Sequence, residues 1–292
     1  MSERPSGTTR SRAAVLGSPI AHSLSPVLHH AAYAATGLDW DYSAIECDTA
    51  SLPALLERVR SEPGWRGLSL TMPLKIAAVP LVDVVDSDVE LVGALNTIVV
   101  AQQGDEAAQL VGHNTDVYGI TAAIPETGIR DVESALVLGA GGTARAAIAA
   151  LAGVGVRFVV VVARDVSRVD PLVRLGERIG VDVEGAPWSS VREQLSSAEF
   201  VIATTPAGAT DFLATARFWP HGVPLLDVLY DPWPTELARY AASRGAPVVG
   251  GLSVLTHQAA QAFELMTGLS APVEDMRTAG EQVLAGRRNA AT

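Results

Sequence analysis

The stretch Leu136-Val137-Leu138-Gly139-Ala140-Gly141-Gly142-Thr143-Ala144 passes from an apolar run through glycines into an alanine-rich segment. Three apolar residues in a row predict a buried strand, the glycines a tight turn, and Thr143 to Ala152 a helix. Phe158 to Val162 predicts a second strand. Strand, turn, helix and strand within about 30 residues make a βαβ unit. Gly139, Gly141 and Ala144 fit the spacing G-x-G-x-x-G/A inside it. The first glycine permits the turn. The second lets backbone N–H groups, with Ala140, Gly142 and Thr143 beside it, approach a pyrophosphate at a positive helix end, and the small third residue lets helix and strand pack closely. The stretch therefore predicts a dinucleotide-binding segment of the Rossmann type.

Which dinucleotide it takes is read at the end of the next strand, where an acidic residue suits a ribose 2′-hydroxyl and arginine suits a 2′-phosphate. Ala163-Arg164-Asp165 offers both, with Arg168 one turn on. Two guanidinium groups can hold a phosphate in bidentate fashion, which favours NADP, while Asp165 keeps NAD possible.

Upstream, Ala13 to Leu16, Trp40 to Ile45 and Trp65 to Leu70 predict strands, with helices over Pro26 to Thr36 and Leu52 to Arg60. Thr97 to Ala101 and Gln109 to Gly112 predict a further strand pair, with a turn at Gln102-Gln103-Gly104-Asp105. Downstream, Phe200 to Ala203 and Pro224 to Val228 are strands, and a helix running on from Gly250 ends at Gly268. Alternating strands and helices over 292 residues imply an α/β chain of two domains. Residues 1–12, polar and basic, read as a disordered tail.

Composition narrows the function. The chain carries 21 Lys and Arg against 32 Asp and Glu, a net charge of −11, which argues against a nucleic-acid partner. No apolar run reaches the ~20 residues of a membrane helix, and no secretory signal opens the chain, so a cytoplasmic protein is expected. The single cysteine, Cys47, lies between Glu46 and Asp48 and reads as a packing thiol. No metal site is expected.

Polar clusters mark the first part of the chain. Ser23 and Ser25 lie in Gly17-Ser18-Pro19-Ile20-Ala21-His22-Ser23-Leu24-Ser25-Pro26, where two hydroxyls can bind a carboxylate or polyol, or Ser25 can simply cap the helix that Pro26 begins. Thr71 and Lys75 follow a strand beside Pro73; a lysine there is a ligand group or a solvated surface charge. Asn96 precedes one strand and Asn114-Thr115-Asp116 follows another, as site residues or as turn and cap residues.

Taken together these segments resemble the shikimate dehydrogenase family from Leu16 to Gly268. The motifs are G-x-P-I-x-H-S-x-S-P at 17–26, V-T-x-P-x-K at 70–75 with Leu70 for valine, G-A-x-N-T at 93–97 and G-x-N-T-D-x-x-G at 112–119. Thr205-Pro206-Ala207-Gly208, Asp227 to Pro232, and Gly250-Gly251 leading to Gln258-Ala259 continue it. The chain departs from the pattern at His30, Val117, Ala163 and Ala209.

The resemblance implies a discontinuous α/β substrate domain, residues 13–116 and 249–292, around a Rossmann-type domain at 117–248. It implies reversible, NADP-dependent reduction of 3-dehydroshikimate to shikimate in the chorismate and aromatic amino acid pathway, by a monomer or homodimer. Ser23 and Ser25 would hold the substrate carboxylate, and Thr71, Asn96, Asp116 and Gln258 its hydroxyls. Tyr230, Val228 and Gly251 would lie near carboxylate and nicotinamide. Hydride transfer to a ketone needs a group that exchanges a proton with the carbinol oxygen. The resemblance gives this role to Lys75, with Asp116 as its partner. An NAD-dependent quinate/shikimate dehydrogenase shares these residues, and a non-catalytic nucleotide-binding sensor is the reading outside enzymes.

Overall fold

The structure, a computed structural model, describes residues 10–102, 107–215 and 217–291. The turn expected at 102–105 therefore lies, beyond Gln102, outside the described residues, as do residues 1–9 of the expected tail. Arg12, placed in that tail by the sequence, is instead the first residue of a strand. It donates to Glu62 Oε2 at 2.8 Å and lies 4.3 Å from the Trp65 ring centre, while Arg10 pairs with Asp39 at 3.0 Å.

Two compact units form, one from residues 1–114 and 259–279, the other from 115–258 and 280–292. The first runs β1 (Arg12–Gly17), α1 (Ser25–Thr36), β2 (Asp41–Glu46), α2 (Leu52–Ser61), β3 (Trp65–Leu70), α3 (Leu74–Ala77), β4 (Val84–Val85), α4 (Ser87–Val92), β5 (Thr97–Ala101) and β6 (Gln109–His113). Its sheet has the order β2-β1-β3-β5-β6-β4. β1 is parallel to both neighbours, whereas β5 is antiparallel to β3 and β6. Five of the six β1 residues are buried, as expected for a strand covered on both faces, which explains its unbroken apolar run. Leu16, Leu56, Leu68, Leu95 and Ile98 share one core cluster. Gly67 leaves a notch in β3 that Met266 fills; a Cβ there would stand 2.5 Å from Met266 Cγ.

The second unit runs α5 (Thr115–Ala123), β7 (Ser134–Leu138), α6 (Gly142–Gly153), β8 (Phe158–Ala163), α7 (Asp170–Ile179), β9 (Asp182–Pro187), α8 (Val191–Ser196), β10 (Val201–Ala203), α9 (Asp211–Thr215), β11 (Leu225–Asp227), α10 (Glu236–Ser243) and β12 (Val248–Gly250), with the first part of α11 (Gly251–Thr267) and the last part of α12 (Val273–Ala291); residues 259–279 of those two helices belong to the first unit. Its sheet is parallel throughout, in the order β12-β11-β10-β7-β8-β9. The chain moves outward from β7 first to one side and then to the other, so the switch point falls between β7 and β10. In open α/β sheets ligands bind beyond the carboxyl ends of the strands at that point.

Residues 117–248 fall wholly in the second unit. Thr115 and Asp116 join it because α5 packs along α6 and Thr115 Oγ1 donates to Gln258 Oε1 at 3.4 Å. Arg287 Nη1 donates to Asp231 Oδ2 at 2.5 Å, which ties the end of α12 to the same unit.

Candidate active site

In the first unit, β1 and β3 end side by side. The Thr71 N–H donates to Leu16 O at 2.9 Å and the Ser18 N–H to Met72 O at 3.0 Å, so the loops after the two strands travel together. The loop after β1 folds on itself through Ser23 N–H to Ile20 O at 3.0 Å, and Ser23 Oγ accepts the Ser25 N–H at 3.3 Å. Ser25 is not a cap. Leu24 holds the cap position, no side-chain cap bond forms, and buried Ser25 is the first helical residue. Its placement is thus not explained by capping.

α3 carries Lys75, whose carbonyl accepts the Leu95 N–H at 2.8 Å, and the Leu70 N–H donates to Asn96 O at 2.7 Å. Ser23, Ser25, Thr71, Lys75 and buried Asn96 therefore sit on three neighbouring chain segments at one end of the first sheet. Lys75 is half-buried, and Met72 and Ile76 beside it are exposed. Beneath the serine loop, buried His29 stacks on Tyr42 with ring centres 4.0 Å apart, and the Tyr42 hydroxyl donates to Ser69 Oγ at 2.7 Å. Burial, with His30 nearby, drives the His29 pKa down to about 3. His30, where the family pattern has asparagine, accepts the Tyr42 N–H on Nε2 at 3.2 Å.

The second unit holds the remaining residues. Asp116 is buried in the first turn of α5, where a carboxylate suits the positive helix end. Gly139 takes φ +108°, a conformation that favours glycine, and a Cβ there would stand 2.7 Å from Thr204 Oγ1. Its N–H donates to Val162 O at 2.9 Å. Gly141 precedes α6 with φ −99° and ψ −169°, and a Cβ on it would meet no protein atom. Neither backbone strain nor packing within the protein requires glycine at 141.

Arg164 and Arg168 are both exposed after β8. Asp165 is engaged elsewhere: its Oδ1 accepts the Ser167 N–H at 3.1 Å and the Ser167 hydroxyl at 2.7 Å, capping the 3-10 turn Val166–Val169. At the other side of the switch point, the Gly251 N–H donates to Leu229 O at 3.0 Å, bringing Val228 and Tyr230 beside the start of α11. Buried Asp227 anchors that loop, accepting the Leu229 N–H at 3.1 Å and the Thr235 hydroxyl at 2.7 Å. Burial raises its pKa against the pull of those two bonds.

Family profiles cover most of this ground. Residues 15–98 match the shikimate dehydrogenase substrate binding domain, 126–216 the shikimate / quinate 5-dehydrogenase profile, and 251–279 the shikimate 5′-dehydrogenase C-terminal domain. Shikimate dehydrogenase (NADP(+)) of Methanopyrus kandleri is 35% identical over 275 residues, covering 91% of this chain and 93% of its own. The crystal structure of Mycobacterium tuberculosis shikimate dehydrogenase is 42% identical, covering 93% and 99% of the two chains with a TM-score of 0.82. The structure of quinate dehydrogenase from Corynebacterium glutamicum in complex with NAD is 30% identical, covering 94% and 99%, also at 0.82.

The chain belongs to the shikimate dehydrogenase family.

The stretch matching the family's substrate binding domain contains Ser23, Ser25, Thr71, Lys75 and Asn96; the middle match contains Gly139 to Thr143, Arg164 and Arg168. Gly251 and Gln258 fall in the C-terminal match. Sequence reasoning passed over Thr204, which walls Gly139, and Asp86 with His113. A cap signal was present at Asp86, directly before Ser87 and the apolar residues of α4. Among the described residues no cluster of metal-ligating side chains occurs, and no helix is long and apolar enough to cross a membrane.

Proposed function

We propose that this chain is a shikimate dehydrogenase that catalyses the reversible, NADP-dependent reduction of 3-dehydroshikimate to shikimate. The observation that carries this reading is the gathering of Ser23, Ser25, Thr71, Lys75 and Asn96 at one end of the first sheet, in a chain whose second sheet opens α6 at Gly141. NADPH supplies the hydride when bound. The protein fits it: after the turn at Gly139, Ala140 to Thr143 offer N–H donors at a helix end with space for a phosphate group, and exposed Arg164 and Arg168 offer guanidinium groups for a 2′-phosphate.

Ser23 and Ser25 hold the substrate carboxylate in this reading, and Thr71, Asn96, Asp116 and Gln258 bond its hydroxyls. Lys75 Nζ gives a proton to the carbonyl oxygen as it becomes a hydroxyl, and takes it back in the oxidative direction, with Asp116 as its partner. Tyr230 lies by the substrate in this reading, and Val228 and Gly251 serve the nicotinamide end. The protein works in the cytoplasm, in aromatic amino acid biosynthesis, as a monomer or homodimer with small molecules as ligands. A matrix of rates with NADP or NAD and shikimate or quinate tests the whole reading. NADP with shikimate is expected to be fastest, and a strong preference for NAD with quinate would overturn it.

A further inference from the structure

Asp86 stands outside every motif quoted above, yet it joins several of them. Its Oδ1 accepts the Val89 N–H at 2.8 Å, capping α4, and its Oδ2 accepts from His113 Nδ1 at 2.9 Å. The Asn114 N–H bonds the same carboxylate. The Asp86 N–H donates to Gly112 O at 3.0 Å, so the residue grips the end of β6 by side chain and backbone alike.

What β6 leads to gives the grip its meaning. The His113 carbonyl accepts the Asn96 N–H at 3.1 Å, and Asn114 Nδ2 donates to Ala94 O at 2.8 Å. Leu95, between them, donates its N–H to the Lys75 carbonyl. Thr115 and Asp116 follow Asn114 directly in the chain. One carboxylate thus sits at the root of a run of hydrogen bonds that reaches the backbone at Lys75 and Asn96 and the segment entering Asp116. Burial alone would raise the Asp86 pKa, but the bonds from His113, Val89 and Asn114 prevail and hold it below the usual carboxylate range, so the acceptor is charged at neutral pH.

We propose that Asp86, through His113, is a positioning residue of the substrate site: it fixes the backbone that sets Asn96 and Lys75, and touches neither substrate nor cofactor. The inference rests on the proposed function. Its test separates the cap from the tether. Asp86→Ser keeps an N-cap hydroxyl but no group able to reach His113 as the carboxylate does, while His113→Ala removes the tether from the other side.

Each variant is expected to lose on the order of 10-fold or more in kcat/KM for shikimate, through both kcat and KM, because small misplacements of a reacting geometry are costly. KM for NADP should stay within about 2-fold, since its residues lie in the other unit, and the double variant should lose no more than either single one. Wild-type kinetics in a folded Asp86→Ser protein, with or without a lower Tm, would reduce Asp86 to a helix cap and sink the proposal. Equal losses toward NADP and shikimate would do the same by pointing to general loosening. Wild-type protein inert toward shikimate with either cofactor would instead overturn the proposed function, and this inference with it.

Discussion

In the second unit one contiguous stretch, Gly139 to Thr143, presents the groups proposed for the cofactor, and most of them are backbone N–H donors. In the first unit the proposed substrate groups are side chains from segments as far apart as Ser23 and Asn96, set side by side by bonds such as Thr71 N–H to Leu16 O. The first kind of site depends on φ angles and on the absence of side chains, the second on strand register and long-range hydrogen bonds. Substitutions should therefore separate the two by which ligand they affect.

Lys75→Ala should have the largest effect, cutting kcat by at least ~10²-fold, the usual scale for a positioned proton donor, with little change in KM for either ligand. Stopped-flow or steady-state rates settle it; near-wild-type turnover would break the side-chain half of the comparison. Next comes acid sensitivity of the first unit. His29 is neutral when folded, with its pKa near 3, but titrates near 6.5 when unfolded, so the unfolded state alone binds a proton between those values. Stability is flat above that window and falls as pH drops through it, by about 1.4 kcal/mol per pH unit. Urea titrations at pH 7 and 4.5 measure the loss. His29→Phe, which keeps a ring on Tyr42, should flatten this part of the slope, and an unchanged slope would mean that His29 does not carry it.

The smallest pair of effects belongs to the cofactor end. Arg164→Ala should lower kcat/KM for NADP on the order of 10-fold, the worth of one charge-assisted hydrogen bond, and leave NAD nearly unchanged. Asp165→Asn, which keeps an acceptor for Ser167, should shift the NADP-to-NAD ratio less than about 3-fold, because a capping side chain reads no ribose. A selective collapse of NAD activity in that variant would make Asp165 the ribose reader after all.

The same contrast explains what could be read from the chain. The glycine stretch showed its strand, turn and helix because all of its determinants are local. The apolar runs of β1 and β8 were equally plain, being buried strands. β9 escaped: it is an edge strand with Gly185 and Pro187 and mostly exposed residues, so no apolar pattern marks it. β4 spans only Val84 and Val85, and α12 is largely polar. The roles of Ser23, Thr71 and Lys75 came from their resemblance to a family, since by themselves they read equally well as turn, cap or surface residues. Asp86 and His113 lie 27 residues apart, and nothing local in either announces the other.

Met266 in the notch of Gly67 bears on the order in which the protein is made. Every strand of the second sheet has been synthesised once the chain reaches Gly250, whereas β3 lacks its cover until residue 266. Domains fold as they emerge from the ribosome when their parts are present. The nascent first unit, although it emerges first, therefore keeps the Gly67 notch open until Met266 arrives, and the strands of the later-born parallel sheet are all made before then.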